Sequence, residues 1–350
     1  PDLGGIVHAH PTALVSFSMV GQTPDSRLFH QARHVCGEVG FAPYQLPGSE
    51  ALGRSIAGVF ERGLNCVILE NHGVITAGES LAEAFWRFET LEFAARTVIR
   101  ASRLGPIRYL DQEQLALAQQ GARALGEFEP RPPSSEEKEL RRTLSEFVLR
   151  AYRQRLFIST QGSFSARLDG ESFLMTPYQV DRGAVEAADL VLVRDGRAAA
   201  GSRPSRAAMV HQEIYRRHPA IGAIINAYPV NATAFSVTGA GLDSRTIPES
   251  YVVLRTVGRA PFGVQFEKPE ALAEWISLER PVLLLDNDGV LVAGRSPLEA
   301  FDRLEVLEST AEALLDSAAL GPLAPMPESA IEELERVFLG KAATSGVPLS

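Results

Sequence analysis

A mixed α/β chain that carries one unit twice is what this sequence predicts, and three observations support it. Short apolar, β-branched runs such as "GGIVHAH" (4–10) and "AIINAY" (223–228) follow Pro-containing stretches and stop at polar residues, the mark of buried strands. Segments of helical spacing follow them along the chain. The chain also repeats: residues 1–21 align without gaps with 219–239, sharing Pro, Gly, Ile, Ala, Pro, Phe, Ser and Gly at eight positions. A denser block, 67–92, matches 283–308 at fourteen of twenty-six positions with a shift of 216. Shared propensity alone does not produce that density, so two copies of one domain are expected.

In chain order, "GGIVHAH" reads as a strand ending in two histidines, and a helix is expected over 49–62. "NCVILENHG" reads as a second buried strand and "GVITAG" as a third. Ser80, with Glu83 three residues on, has capping-box spacing and opens a long amphipathic helix. A helix is expected over 112–126, and "EFEPRPPSSEEKELRR" (127–142) reads as a linker from its Pro, Ser and charge content. The domains are therefore expected at 1–126 and 143–350. In the second, helices are expected over 136–154, 204–217, 269–277 and 328–339, and strands at "ESFLMTP", "DLVLVRDGRAAAG", "AIINAY", "PVLLLDNDG" and "GVLVAG". Ser296 and Glu299 repeat the capping-box spacing. About 77 residues separate the linker from Pro219, the counterpart of Pro1, so the first copy is expected to lack its front portion and the chain to be a piece of a longer protein.

Composition narrows the function. The chain has 350 residues, 45% of them hydrophobic and 22% charged, as in an ordinary globular protein of about two domains. A net charge of -9 with scattered cations argues against a nucleic-acid partner. No unbroken apolar run reaches the roughly 18 to 20 residues of a membrane helix. The only cysteines, Cys36 and Cys66, form no disulfide framework and fit a reducing, cytoplasmic setting as small buried hydrophobes.

His8 and His10, two apart on a strand, face one side and can converge on a metal. A third histidine, His72, ends another strand in "ENHG", where Gly73 is expected to let the backbone turn and leave the ring open. Taken singly, each is also compatible with a polar strand end or a turn cap. Their counterparts in the second copy are Asn226, Tyr228 and Asp288, while the surrounding Gly, Pro and apolar framework persists. Histidines needed for the fold would be needed in both copies. Joint loss of all three is what abandonment of one metal site predicts.

The stretches "GGIVHAHP", "FAPYQLPGS" and "VILENHGVITAGESLAEAF" resemble the class II aldolase/adducin family in both copies, over about 1–110 and 145–320. The resemblance implies three-layer α/β/α domains in tandem and a divalent cation, usually Zn²⁺, on His8, His10 and His72. It implies a metal-dependent aldolase, epimerase or decarboxylase that acts on a small hydroxycarbonyl or sugar-phosphate-like substrate through an enediolate. The family's acidic residue about twenty positions before the histidine pair has no counterpart ahead of Pro1, and Ala207 stands at its place in the second copy. The family's "GNIS"-like phosphate loop corresponds to "TQGSFSAR", with Ser163 in place of Asn.

A tyrosine from a neighbouring subunit serves family enzymes as proton donor. Its place in the first copy falls near Phe29 and His30, so Tyr251 in "IPESYVVLR" is the candidate catalytic residue, offered to a neighbour's histidine centre in a homo-oligomer. Tyr44 is expected as a packed wall residue, and Glu38 and Glu70 as structural or solvated groups. Two classes remain open: an enzyme with a small-molecule substrate, or a non-catalytic adducin-like binding or scaffold protein with a vestigial metal site.

Overall fold

The structure is a computed structural model and describes residues 3–120 and 125–340. Its first part contains β1 (Gly5–Ala9), α1 (Thr12–Met19), α2 (His30–Cys36), β2 (Val39–Ala42), α3 (Glu50–Phe60), β3 (Cys66–Leu69), β4 (Gly73–Gly78) and α4 (Leu81–Ala101). Then come α5 (Gln112–Gln119), β5 (Gly126–Phe128), α6 (Ser135–Arg153), β6 (Ser163–Asp169), β7 (Ser172–Met175), β8 (Val191–Arg194), β9 (Arg197–Ala199) and α7 (Ala208–Arg217). The remainder holds β10 (Ala223–Ala227), α8 (Val230–Ser236), α9 (Pro248–Leu254), β11 (Gly258–Ala260), α10 (Val264–Glu267), α11 (Pro269–Trp275), β12 (Val282–Leu285), β13 (Val290–Gly294), α12 (Pro297–Ser317) and α13 (Glu328–Phe338).

The fold is mixed α/β with two sheets. One has the order β1-β4-β3-β2, and the other β11-β12-β13-β10-β6-β7-β8-β9-β5. The sequence repeat reappears as repeated pairing. β1 runs antiparallel to β4 with Gly5 opposite Gly78, and β10 antiparallel to β13 with Ala223 opposite Gly294. β2–β3 and β11–β12 are matching parallel pairs, and the larger sheet has a further parallel pair, β5–β9, at its other edge. Fully apolar β3 and β12 are buried at every position, as strands covered on both faces require. A difference follows from the longer second segment: β10 lies between β13 and β6, whereas β1 stands at the edge of its sheet.

The same caps open the two long helices. Ser80 accepts from the Glu83 N–H and Ser296 from the Glu299 N–H. The return half of the predicted capping box is displaced by one residue in both copies, because the glutamates accept from Glu79 N–H and Arg295 N–H instead. Glu92 on α4 receives the N–H groups of Ala13 and Leu14, and Glu308 on α12 those of Asn231 and Ala232, so each long helix caps the short helix that follows the strand.

The two parts share one apolar core, in which Phe29, Phe93 and Ala94 pack with Tyr228, Phe235 and Phe301. Polar ties cross the same boundary: Tyr152 donates to Glu89 at 2.6 Å, and Trp86 Nε1 donates to Asp181 at 3.2 Å. The helix predicted over 112–126 ends at Gln119; residues 121–124 lie outside the described residues, and 126–128 form β5 against β9. Of the predicted linker, Glu127 and Phe128 are thus in a sheet, and helix resumes at Ser135 beyond the prolines. Cys36 and Cys66 are free and buried, as expected. No helix among the described residues is long and apolar enough to cross a membrane.

Candidate metal centre and its counterpart

β1 and the β3–β4 turn bring the three histidines together. Ile6, His8 and His10 share the exposed side of β1 and its continuation. The register, with Ala9 opposite Val74, sets the strand end beside Gly73 and hence beside His72. Ligand-capable ring atoms of His8, His10 and His72 all lie within 4.8 Å of one another, and the ring centroids are 4.7, 5.0 and 4.9 Å apart. His8 Nδ1 sits 3.0 Å from the Val74 carbonyl, a bond that keeps its proton on Nδ1 and leaves Nε2 as a lone-pair donor. The buried Nδ1 of His72 has no hydrogen-bond partner. Burial, and then the charges of His8 and His10, hold the His72 imidazole below its usual range, so it stays neutral. Three imidazoles converging on one point suit a divalent cation such as Zn²⁺.

Gly73 acts differently from its predicted role. The turn is made by Asn71, whose φ of 52° is left-handed, as is the 50° of its counterpart Asn287. Gly73 is required by crowding: a Cβ there would lie 2.6 Å from both the Ala9 carbonyl oxygen and His10 Cδ2.

In the second half, direct hydrogen bonds fill the equivalent place. Tyr228 donates to Asp288 Oδ1 at 2.8 Å, and Gln265 donates to Asp288 Oδ2 at 2.9 Å. Asn226 Oδ1 lies 2.7 Å from Nε2 of the fully buried His211, whose Nδ1 meets Ser165 at 2.7 Å. Burial pushes the Asp288 carboxyl up to about 6, against the opposing pull of Tyr228 and Gln265, and pushes His211 down to about 4.

The first half roofs this region through α2. His30 Nδ1 lies 3.4 Å from Asp288 Oδ1 yet makes no hydrogen bond, and burial, then Arg206 and His34, drive its pKa down to about 3. His30 and His211 were not among the sequence candidates; only long-range folding brings them to this place. Ser163 is buried with its Oγ unpartnered, and Ala207 is the residue before α7.

Tyr251 lies on α9, apart from the cluster, and its hydroxyl donates to Glu335 of α13 at 2.6 Å. Burial, then that bond, pushes its pKa up to about 12. Tyr44 is not a packed wall residue: it is 54% exposed, because the segment after β2 runs along the surface. Glu70 accepts from the Tyr44 N–H and Glu38 pairs with Arg33, structural roles as expected.

Comparison with known proteins agrees with this architecture. The family model described as Class II Aldolase and Adducin N-terminal domain matches residues 1–99 and 142–315. The chain belongs to the class II aldolase and adducin family. A 3-oxo-tetronate 4-phosphate decarboxylase of Cupriavidus necator is 26% identical over 215 residues, covering 58% of this chain and 98% of that protein. An L-fuculose phosphate aldolase of Methanococcus vannielii is 28% identical over 165 residues, 46% of this chain and 87% of the relative. Among solved structures, YgbL of Escherichia coli superimposes with a TM-score of 0.51 at 28% identity, covering 57% of this chain and 98% of its own. Membership and these relatives support a metal-dependent, lyase-type function.

Proposed function

We propose that His8, His10 and His72 hold a divalent cation, Zn²⁺ or a similar ion, and that the chain cleaves a carbon–carbon bond next to a carbonyl in a small hydroxycarbonyl or sugar-phosphate-like substrate. The observation that carries this reading is the convergence of three imidazoles within 4.8 Å, one of them with a buried, unpartnered nitrogen. When bound, such a cation supplies Lewis acidity toward a substrate carbonyl. The protein's own part is to orient the imidazoles: the Val74 carbonyl fixes His8, and Gly73 leaves room for the His10 ring beside the strand end. Bond cleavage beside a carbonyl is common to a decarboxylase and an aldolase, the activities in the names of the relatives.

Tyr251 is the proposed proton donor, contributed by a second copy of the chain. The repeat supports this. Within one chain α2 covers the second half's counterpart of the centre, and α9 is the segment that corresponds to α2, with Tyr251 at the position of Arg33. In this arrangement the two halves are tandem domains, one with the metal and one without, alternating in a closed assembly. Tyr251 must then leave Glu335.

A second reading, an adducin-like binding or scaffold protein with a vestigial site, is favoured by the hydrogen-bonded trio that fills the second half. The deciding experiment incubates the Zn²⁺-loaded chain with 3-oxo-tetronate 4-phosphate and with L-fuculose 1-phosphate and measures carbon dioxide or aldehyde release. Turnover of either that is lost in His8→Ala supports the enzyme. No turnover of either, with metal bound, supports the scaffold.

A further inference from the structure

The junction between the halves contains two adjacent chambers that share part of their walls. The outer one, about 480 Å³, is walled by His30, Arg33 and His34 of α2, by Leu115 and Gln119 of α5, and by the segment from Arg203 to Met209. That volume falls within the roughly 300–1,000 Å³ of small-molecule sites. The inner one, about 110 Å³, is bounded by Ser163, Asn226 and Asp288. His30, Tyr178 and Arg206 border both.

Two independent features give the junction its chemistry. Buried side chains ordinarily have hydrogen-bond partners, yet His30 Nδ1, Ser163 Oγ and Arg206 Nε have none. His30 and Ser163 are only 6% and 2% exposed, so bulk water does not serve them freely. The second feature is charge. Among the described residues neither Arg203 nor Arg206 forms an ion pair, while Arg33 is held by Glu38 at 3.0 Å. Arg203 lies over the Tyr178 ring at 3.8 Å and Arg206 over Phe266 at 5.4 Å, contacts that hold the guanidinium groups without neutralising them. Arg206 Nη2 also donates to the Ala118 carbonyl. The opposing carboxylates are Glu127 in the outer chamber and Asp288 in the inner one.

We propose that this junction is a binding site, independent of any metal, for a small hydroxylated molecule carrying one oxyanion, a phosphate or a carboxylate. The oxyanion is held by Arg203 and Arg206 in the outer chamber. Its hydroxyl groups reach Ser163, His30 and Asp288 in the inner one, where donors and an acceptor stand together. Because α2 supplies one wall and the second half the other, an occupant also clamps the halves together. The site shares no residue with His8, His10 and His72, so it stands or falls separately from the metal centre.

The test uses the whole chain carrying His8→Ala, His10→Ala and His72→Ala, in the presence of a chelator, so that the histidine cluster contributes nothing. Glycerol 3-phosphate and glycerate are titrated by isothermal calorimetry, with glycerol as the uncharged control. One molecule per chain of at least one of the two anions, and no binding of glycerol, is expected; whichever anion binds identifies the oxyanion. Arg206→Gln should weaken binding about tenfold, the loss of one charge-assisted hydrogen bond. Ser163→Ala should weaken it to a lesser degree. If Arg206→Gln lacks the parental circular-dichroism spectrum, Arg203→Gln, at an exposed position, replaces it with the same expected direction. Absence of saturable binding by either anion overturns the proposal, and so does binding that a folded arginine variant leaves unchanged.

Discussion

The two halves meet the same structural problem with different chemistry. In each, a strand end and a left-handed asparagine turn bring three side chains to one point. Where these are His8, His10 and His72, their ring nitrogens lie within 4.8 Å of one another; where they are Asn226, Tyr228 and Asp288, the tyrosine bonds to the aspartate, Gln265 completes the aspartate and Asn226 meets His211. The difference teaches that the backbone does not depend on a cation. It offers a place that either an ion or a hydrogen-bond network can complete.

The comparison breaks most directly on metal content. One divalent ion per chain is expected by elemental analysis, and none in the His8→Ala, His10→Ala double variant, whereas Asn226→Ala should leave the content unchanged. Acidification should release the ion, because protons compete with it for the imidazole nitrogens. Two ions per chain would erase the proposed asymmetry.

Next in size is the loss of a proton donor. Tyr251→Phe should lower turnover by about 10² to 10⁴ while metal content and folding persist. Mixing Tyr251→Phe chains with His8→Ala chains sharpens the test, since shared assemblies should regain activity if the tyrosine comes from another chain. Full turnover by the tyrosine variant alone would refute the role.

Smaller effects separate the two turns. A Cβ at Gly289 would meet the Ala227 carbonyl oxygen at 2.3 Å, in a backbone of φ +80°. Gly289→Ala should therefore cost about 1–3 kcal/mol in a denaturant titration, more than Gly73→Ala, which lacks the φ penalty. Gly73→Ala should in addition weaken metal binding, because the crowded neighbour is the His10 ring. The reverse ranking would place the strain in the wrong half.

The smallest effect is a pH slope set where α2 meets the second half. Asp288, raised to about 6, stabilises the fold fully below the ordinary carboxylate pKa, and that contribution is lost as pH rises through about 6. His30 and His211, lowered to about 3 and about 4, act oppositely: their contribution is present above the ordinary imidazole pKa and lost as pH falls. Between about pH 6 and pH 4 the aspartate thus offsets part of the histidine loss. Asp288→Asn should make the fall in melting temperature on acidification steeper across that window. An unchanged slope would mean that Asp288 is not the compensating group.

Much of this contrast is legible in the sequence, since the repeat aligns each histidine with its replacement and strand periodicity sets His8 beside His10. The strands at 66–69 and 282–285 are equally plain, being apolar throughout. What escapes is what local pattern does not encode. α2 and α9 are seven residues each, too short for helical periodicity to register. β5 is three residues whose only reason to be extended is the edge of β9. His30 reaches Asp288 across 258 positions of sequence, a meeting that no motif announces. Gly73 was legible as necessary but not why, because the atoms it must avoid belong to another strand.

The seat of α2 over the second half has a consequence for evolution. Two surfaces joined in one polypeptide meet at a fixed, high effective concentration, in the millimolar range for short connections, however dilute the protein is. A tenfold weakening of such a contact would dissociate separate subunits at low abundance but leaves a fused pair together. Substitutions at the seam are thereby sheltered from the selection that holds a free interface constant. The unbonded approach of His30 to Asp288 is the kind of imperfect fit that tethering tolerates, and it leaves this face freer to acquire new chemistry than the His8, His10 and His72 face.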